Sequence, residues 1–322
     1  MKRIGIFCSG GDAPGMNATI RAVVRTALFN GLEVSGIRRG YTGMINGDIY
    51  PMDARSVSGI IGRGGTILHT ARCPEFMEYQ GRAAAHAQLA KAGIDGLVAI
   101  GGDGTFRGAY QFTKEFDIPV MGVTGTIDND VMGTDYTVGF DTAVNIALEA
   151  IDRIRDTAAS HDRIFFIETM GRSSGFIALW SGLAGGAEAI FIPEVREDFE
   201  KYARDIFEGR KKGKTSAIVV VAEGEEAGGA FTIAERFKAI TGLDYRVTIL
   251  GHIQRGGAPT AFDRILGTRS GVKAVEALID GRRNEMVGVQ NMEMRCTSFS
   301  EVWDKKKDPD LDWLKIANMM SI

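Results

Sequence analysis

The sequence predicts an α/β chain of two doubly wound lobes, each a mostly parallel sheet flanked by helices. Three observations carry this. Short β-branched runs alternate with longer segments of helical period. Glycine is over-used, at 42 of 322 residues with only 7 Pro and no Gly-X-Y period; the glycines gather at the ends of apolar runs, where tight turns approach ligands. The length exceeds one small domain, and 44% apolar with 25% charged residues supply a core for each lobe.

In chain order, the β-branched and apolar runs put strands at 3–8, 33–37, 96–100, 120–123, 163–168, 189–192, 216–222 and 246–250. Segments of helical period put helices at 15–30, 81–92, 105–115, 142–158, 175–184, 197–212, 230–241 and 261–280. Strand–helix alternation of this kind gives parallel sheets covered on both faces, with ligands beyond the carboxyl ends of the strands.

A net charge of −3 argues against a dedicated nucleic-acid binder. Cys8, Cys73 and Cys296 are odd in number, far apart and without metal-ligand spacing, which suits a reducing compartment. The chain opens on a strand without a signal-peptide pattern, and no apolar run approaches membrane-spanning length, so a cytoplasmic location is expected.

Three turns read as variants of one unit. Gly10-Gly11-Asp12-Ala13-Pro14-Gly15 follows the strand at 3–8, Gly101-Gly102-Asp103-Gly104 the strand at 96–100, and Gly171-Arg172-Ser173-Ser174-Gly175 the strand at 163–168. A lone Gly-Gly pair is as often only a tight βα turn. Two copies, each with an Asp and each opening a helix, point to phosphate: the helix N-terminus attracts anions and Gly lets the backbone come close. A carboxylate beside a phosphate needs a cation between them, which implies a metal.

Gly209-Arg210-Lys211-Lys212-Gly213-Lys214-Thr215 looks like a Walker A loop but is one residue short between its glycines, and a strand follows it where one should precede it. It is either a basic solvated helix end or an anion site of another kind.

Thr126-Ile127-Asp128-Asn129-Asp130 crowds two carboxylates and an amide into a polar loop after a buried strand. Asp and Asn often serve turns, but Gly125 before the run and Asp135 after it make a denser acidic group than a turn requires. Phosphoryl transfer from ATP to an alcohol needs a base on the hydroxyl and a metal on the phosphates, and this loop with Asp103 would supply both. Gly251-His252-Ile253-Gln254-Arg255-Gly256-Gly257 follows the last strand and offers Arg and His donors for a second phosphate.

Together with Ser9 and Met16-Asn17 around the first turn, Arg63-Gly64-Gly65-Thr66, and Met170 before Gly171-Arg172, these stretches closely resemble the bacterial ATP-dependent 6-phosphofructokinase family over nearly the whole chain. The resemblance implies two Rossmann-like lobes, residues 1–138 plus 252–305 binding ATP and 139–251 plus 306–322 binding the sugar phosphate. It implies a phosphotransferase that makes fructose 1,6-bisphosphate and ADP from fructose 6-phosphate and MgATP, the committed step of glycolysis.

On that resemblance Asp128 would take the proton of the sugar 1-hydroxyl, Thr126 and Arg172 would stabilise the transferred group, and Asp130 would be a supporting carboxylate. Asp103 would hold Mg²⁺. Gly11, Gly102, Gly104 and Thr105 would lie by the phosphates, with Tyr41, Arg72, Cys73, Arg107 and Gly108 on the ATP side. Met170, Gly171, Glu223, His252 and Arg255 resemble the sugar-phosphate pocket. Arg163 and Arg246 resemble arginines that reach it from a neighbouring subunit of a homotetramer. An effector site for ADP or phosphoenolpyruvate would use Arg21, Arg25, Arg155, Gly186, Glu188, Lys212 and Lys214.

Departures from the family pattern are Thr124 for the usual Pro, Cys73 for an aromatic, Met77 for a base, Phe176 for an acid, Ala54 for Arg and Gly59 for Asp. None touches the bond-making groups; the last two bear on effector control. Pyrophosphate-using relatives carry Asp in place of Gly104 and Lys in place of Gly125, so Gly at both positions favours ATP. A pyrophosphate-dependent phosphofructokinase and a catalytically silent sugar-phosphate sensor are the two other readings of the same residues.

Overall fold

The computed structural model of the chain describes residues 1–196, 198–225, 228–302 and 307–321. It divides into two compact units: Met1–Ile127 with Val131–Thr142 and Arg255–Lys307, and Asp128–Asp130 with Ala143–Gln254 and Asp308–Ile322. Among the described residues no helix is long and apolar enough to cross a membrane.

The first unit holds strands β1 (Arg3–Cys8), β2 (Glu33–Ile37), β3 (Ile49–Met52), β4 (Gly96–Gly101) and β5 (Val120–Thr124). Later strands of the chain are β6 (Ile164–Thr169), β7 (Ala189–Phe191), β8 (Ala217–Ala222) and β9 (Tyr245–Ile249) in the second unit, then β10 (Glu285–Gln290) and β11 (Glu293–Ser298) back in the first. Helices are α1 (Met16–Phe29), α2 (Gly40–Asn46), α3 (Tyr79–Lys91), α4 (Asp103–Glu115), α5 (Phe140–Ser160), α6 (Phe176–Ala184), α7 (Phe199–Lys211), α8 (Ala230–Thr241), α9 (Ala261–Ile279), α10 (Phe299–Val302) and α11 (Asp312–Met320).

Among the described residues the first unit's sheet runs β11-β10-β5-β4-β1-β2-β3, parallel at its centre and antiparallel at both edges. β4 and β5 are buried throughout, as continuous apolar runs covered by helices on both faces must be. Phe7, Phe106, Phe112 and Phe299 fill one side of this core. On the other, α9 lies close on α1: a Cβ at Gly267 would come within 2.7 Å of Thr19 Oγ1 and 3.0 Å of the Gly15 carbonyl, so the absent side chain sets the approach. Strand order reverses at β1, which has β4 on one side and β2 on the other. The crevice for a ligand in such a sheet therefore opens at the carboxyl ends of β1 and β4, where the two Gly-Gly-Asp turns stand.

The second unit's sheet runs β7-β8-β6-β9, all parallel. Its core gathers Phe166, Phe191, Val219, Val221 and Phe237. Trp180 of α6 packs on Trp313 of α11 with ring centroids 4.7 Å apart.

The α/β class and the eight expected strands and helices are present, with ends that differ by a few residues. The expected start of a helix at Glu197 and the expected lobe boundary at 305/306 lie outside the described residues; α7 is capped by Asp198, whose carboxylate accepts from the Lys201 N–H at 3.0 Å. The sequence reading missed α2, β3, β10, β11, α10 and α11. β3 carries Pro51, which demotes a run in sequence but is tolerated on an edge strand. The β10–β11 hairpin turns on Asn291 and Met292, both left-handed at φ 51° and 66°; without Asn-Gly the usual hairpin signal is absent.

Candidate active site

The first unit brings the two Gly-Gly-Asp turns together. Ser9 N–H donates to the Ile100 carbonyl at 3.0 Å, and Thr105 Oγ1 donates to the Ser9 carbonyl at 3.1 Å. A Cβ at Gly101 would press on Thr105 Oγ1 and the Ser9 carbonyl, so Gly is required where the turns cross. Arg255 closes over the first turn: its Nη1 donates to the Asp12 carbonyl at 3.1 Å, and a Cβ at Gly11 would collide with its guanidinium. Gly102 opens α4 with extended backbone, and Asp103 and Gly104 lie in the first turn, where N–H groups face outward. Asn17 ties in the 63–67 loop, donating to the Arg63 and Gly64 carbonyls at 3.1 Å each and accepting from Ile67 N–H at 2.8 Å. Thr70 Oγ1 donates to the Gly10 carbonyl at 2.6 Å.

Thr126 stands 3.8 Å from the position of a Cβ at Gly102. Its backbone is fixed on both sides: its N–H donates to the Val138 carbonyl at 3.1 Å, and its carbonyl accepts from Thr137 Oγ1 at 2.7 Å. Gly125 forms a parallel bridge with Val138, and its N–H donates to the Gly101 carbonyl at 2.8 Å. Thr124, at the usual Pro position, is buried in register with Gly101, so the strand runs on to the loop unbroken.

The expected ATP-side residues fall in the same unit. Tyr41 is buried, stacks on Phe76 at 3.8 Å, and donates its hydroxyl to the Thr105 carbonyl at 2.6 Å; burial pushes its phenol well above the ordinary range. It braces α4 from inside, and Gly108 leaves room for its ring. Arg72 and Arg107 are exposed, and the Cys73 thiol reaches Glu75 at 3.5 Å. Asp103 accepts from Gly104 N–H at 2.6 Å and pairs with Arg107 at 3.5 Å. Among the described residues no group of three or more His, Cys, Asp or Glu is placed to hold a metal. A single half-exposed carboxylate at a helix N-terminus does fit Mg²⁺, which keeps several waters and is held through one or two carboxylates plus substrate phosphates.

Within the second unit Asp128 and Asn129 are buried, and Asn129 takes the left-handed conformation at φ 54°. Ser174 Oγ donates to the Asp128 carbonyl at 2.9 Å, joining the loop to the 170–175 turn after β6. There Met170 is buried, Gly171 has φ 143° with the Ser174 carbonyl where a Cβ would stand, and Arg172 is left-handed at φ 61°. Glu223, just past β8, accepts the Arg172 N–H at 2.8 Å and so holds this strained turn. Asp128, Met170, Gly171, Arg172 and Glu223 thus share the carboxyl end of the second sheet, and Asp130 belongs to the same unit. His252 is exposed on the turn after β9, and Arg163 and Arg246 are exposed at the amino ends of β6 and β9.

The expected effector residues divide between the units. Arg21 and Arg25 lie one turn apart on α1. In the second unit Arg155 donates to the Gly185 and Gly186 carbonyls, while Glu188 sits 4.0 Å from Arg155 and 3.3 Å from Lys214. A cavity of about 490 Å³ is lined by Glu188, Lys201, Tyr202, Lys212 and Lys214. Ala54 and Gly59 are exposed, Gly59 at φ 68°.

Sequence reasoning missed Asp263. It is fully buried on α9, and its carboxylate accepts from Gly139 N–H at 2.8 Å, Thr142 N–H at 2.8 Å and Thr142 Oγ1 at 2.6 Å. Burial pushes its pKa up to about 6 against the pull of these donors. The Thr260-x-x-Asp263 spacing, a helix-start pattern, was the available signal.

The sequence profile described as Phosphofructokinase matches residues 3–278. The chain belongs to the phosphofructokinase family. ATP-dependent 6-phosphofructokinase 1 of Thermus thermophilus is 58% identical over 322 residues, spanning 100% of both chains. ATP-dependent 6-phosphofructokinase of Halothermothrix orenii is 52% identical over 332 residues, again 100% of both. Among solved structures, phosphofructokinase from Saccharomyces cerevisiae superposes with a TM-score of 0.89 at 36% identity, covering 94% of this chain and 45% of the yeast chain. A pyrophosphate-dependent phosphofructokinase from Marinobacter aquaeolei shares the fold at 24% identity, with a TM-score of 0.84 and coverage of 97% and 86%.

Proposed function

We propose that the protein is an ATP-dependent 6-phosphofructokinase, transferring the γ-phosphoryl group of ATP to the 1-hydroxyl of fructose 6-phosphate. The observation that carries this reading is the 58% identity over the whole of both chains with the Thermus thermophilus enzyme of that name.

In this reading Asp128 accepts the proton of the 1-hydroxyl as that oxygen attacks the γ-phosphorus. The bond to the β–γ bridging oxygen breaks, and ADP leaves with the electron pair. Thr126 and Arg172 balance charge on the transferred group, a role suited to groups held rigid beforehand, as both backbones are. Asp130 supports the loop. Gly11, Gly102, Gly104 and Thr105 present backbone to the nucleotide phosphates, with Tyr41, Arg72, Cys73, Arg107 and Gly108 on that side. Asp103 would hold Mg²⁺, which supplies charge neutralisation at the phosphates when bound. Met170, Gly171, Glu223, His252 and Arg255 take the sugar phosphate.

The same reading assigns the lobe of 1–138 plus 252–305 to ATP and that of 139–251 plus 306–322 to the sugar phosphate. It makes the enzyme a cytoplasmic homotetramer in which Arg163 and Arg246 complete a neighbour's site; their exposure in the single chain supports this. ADP or phosphoenolpyruvate would act on Arg21, Arg25, Arg155, Gly186, Glu188, Lys212 and Lys214.

The test is a coupled assay on purified protein with fructose 6-phosphate and either MgATP or magnesium pyrophosphate. Fructose 1,6-bisphosphate should form with ATP. Faster turnover with pyrophosphate at equal concentration would overturn the donor, and no turnover with either would leave the silent sensor.

A further inference from the structure

We infer that Asp263 is a positioning residue for phosphoryl transfer, holding the 137–142 segment so that Thr126 keeps its place. This rests on the reading of Thr126 as a group on the transferred phosphoryl.

Asp263 is a fully buried carboxylate on α9 whose charged neighbour is another acid, Asp141, which disfavours its ionised form. Burying an anion there is costly unless its oxygens are fully used. They are. One oxygen accepts the Gly139 N–H and the other the N–H and hydroxyl of Thr142, so the side chain caps the start of α5 from a different helix. Thr142 Oγ1 in turn accepts the Thr260 N–H at 3.0 Å, and Thr260 Oγ1 donates to Asp141 at 2.6 Å, which locks the cap to the start of α9.

The anchored segment has little freedom. One residue before Gly139, the Val138 carbonyl accepts the Thr126 N–H at 3.1 Å, and Thr137 holds the Thr126 carbonyl at 2.7 Å. Gly139 is left-handed at φ 106°, and a Cβ on it would meet Ala13 Cβ at 2.6 Å. A Cβ on Gly15 would meet Val138 at 2.7 Å and the Asp263 carbonyl at 3.3 Å. The strip is thus pressed between the first Gly-Gly-Asp turn and α9, and Asp263 fixes its height. Simple helix capping needs only a neutral oxygen. Three donors converging from two directions need both oxygens of a carboxylate, and an amide in its place turns an NH₂ onto an N–H.

The experiment compares wild type with Asp263→Asn, Thr142→Val, Thr126→Ala and the Thr126→Ala/Asp263→Asn pair, measuring kcat, both KM values and thermal midpoint. Misplacing a catalytic group by a fraction of an ångström should lower kcat of Asp263→Asn by about 10–100-fold, with KM values within about 2-fold. Thr142→Val, which loses one of the three donors, should lose about 3-fold in kcat. Because Asp263 acts through Thr126, the pair should turn over about as slowly as Thr126→Ala alone. Wild-type kcat in Asp263→Asn, whatever its melting point, overturns the inference, and so does a pair whose losses multiply. If Asp263→Asn does not fold, unchanged kcat in Thr142→Val overturns it. Wild-type turnover in Thr126→Ala removes the reading of Thr126 and this inference together; a crippled Thr126→Ala beside an unaffected Asp263→Asn removes only the inference.

Discussion

Lys214 Nζ lies 3.3 Å from Glu188 Oε1, with Glu188 the better buried at 9% side-chain exposure against 41%. The other Glu188 oxygen accepts the Ile218 N–H at 2.6 Å, and Arg155 approaches the same carboxylate at 4.0 Å. A cluster that reads as basic in sequence therefore carries its own counter-charge. Any anionic effector bound there competes with Glu188 for Lys214 and Arg155, unless a cation travels with it.

Removing that competitor should strengthen bare anions. Glu188→Gln should lower the phosphoenolpyruvate concentration that half-shifts the fructose 6-phosphate curve by about 3–10-fold, a modest gain because the cations are partly exposed. Lys214→Ala and Arg25→Ala should raise it. If ADP binds as a magnesium complex with Glu188 facing its metal, it should instead lose affinity in Glu188→Gln. Identical effector titrations in all four proteins would remove the cluster from regulation.

The proposed role of Asp128 as base is tested by Asp128→Asn, which keeps shape and loses proton acceptance. Turnover should fall on the order of 10²–10⁴-fold. The KM for fructose 6-phosphate should change far less, because the loss lies in the transition state. The Ser174 bond is to the Asp128 backbone carbonyl and survives the substitution, so the loop should keep its place. Near-wild-type turnover would take Asp128 out of the role.

The parts of this site that were legible in sequence are those where one residue type has a single use. Gly10-Gly11-Asp12 and Gly101-Gly102-Asp103 read in sequence as backbone suited to an anion, and both turns fall at the reversal of strand order around β1. The acidic density of 126–130 is likewise legible, and Asp128 and Asn129 are buried there. What stayed hidden depends on contacts far apart in the chain. Asp263 reaches Gly139 across 124 positions, and no local pattern ties α9 to α5. The Tyr41 hydroxyl bonds to the Thr105 carbonyl, 64 residues away, a contact that no local pattern shows. Charge alone could not show that Lys214 meets Glu188. The missed hairpin of β10 and β11 is the same failure at short range, since Met292 in a left-handed turn is held there by its strands rather than by its own preference.

Donor choice can be probed at Gly104. A Cβ there meets nothing within 4 Å, so Gly104→Asp should fold with an unchanged melting point. Its carboxylate would stand beside Asp103 and repel the α-phosphate of ATP, lowering kcat/KM for ATP by about 10-fold or more. Gly125→Lys differs: its Cβ would come 2.7 Å from Met16 and 2.9 Å from Ile100, so it should destabilise the first unit by about 1–3 kcal/mol. The pair therefore should not convert the enzyme to pyrophosphate without repacking at Met16. Efficient pyrophosphate turnover in the double variant, at wild-type stability, would refute this account.

Asp263 also leaves a mark on stability against pH. Its folded pKa, about 6, lies above the unfolded value of 3.8. The native state thus holds the proton more tightly than the unfolded chain does. The contribution of the protonated carboxyl to stability is fully present below about pH 4 and is lost as pH rises through 6. A rise of that size is worth on the order of 2–3 kcal/mol. Many carboxyls titrate in this range, so the quantity to measure is the difference between wild type and Asp263→Asn in urea midpoint at each pH from 4 to 7. That difference should move against the wild type between pH 4 and 6 and level off above. Activity should respond in the opposite sense, because the positioning described above needs the carboxylate, which exists only above that range. A stability difference that stays flat across the range would mean that the carboxyl is not raised, and that its buried bonds outweigh the cost of removing its charge from water.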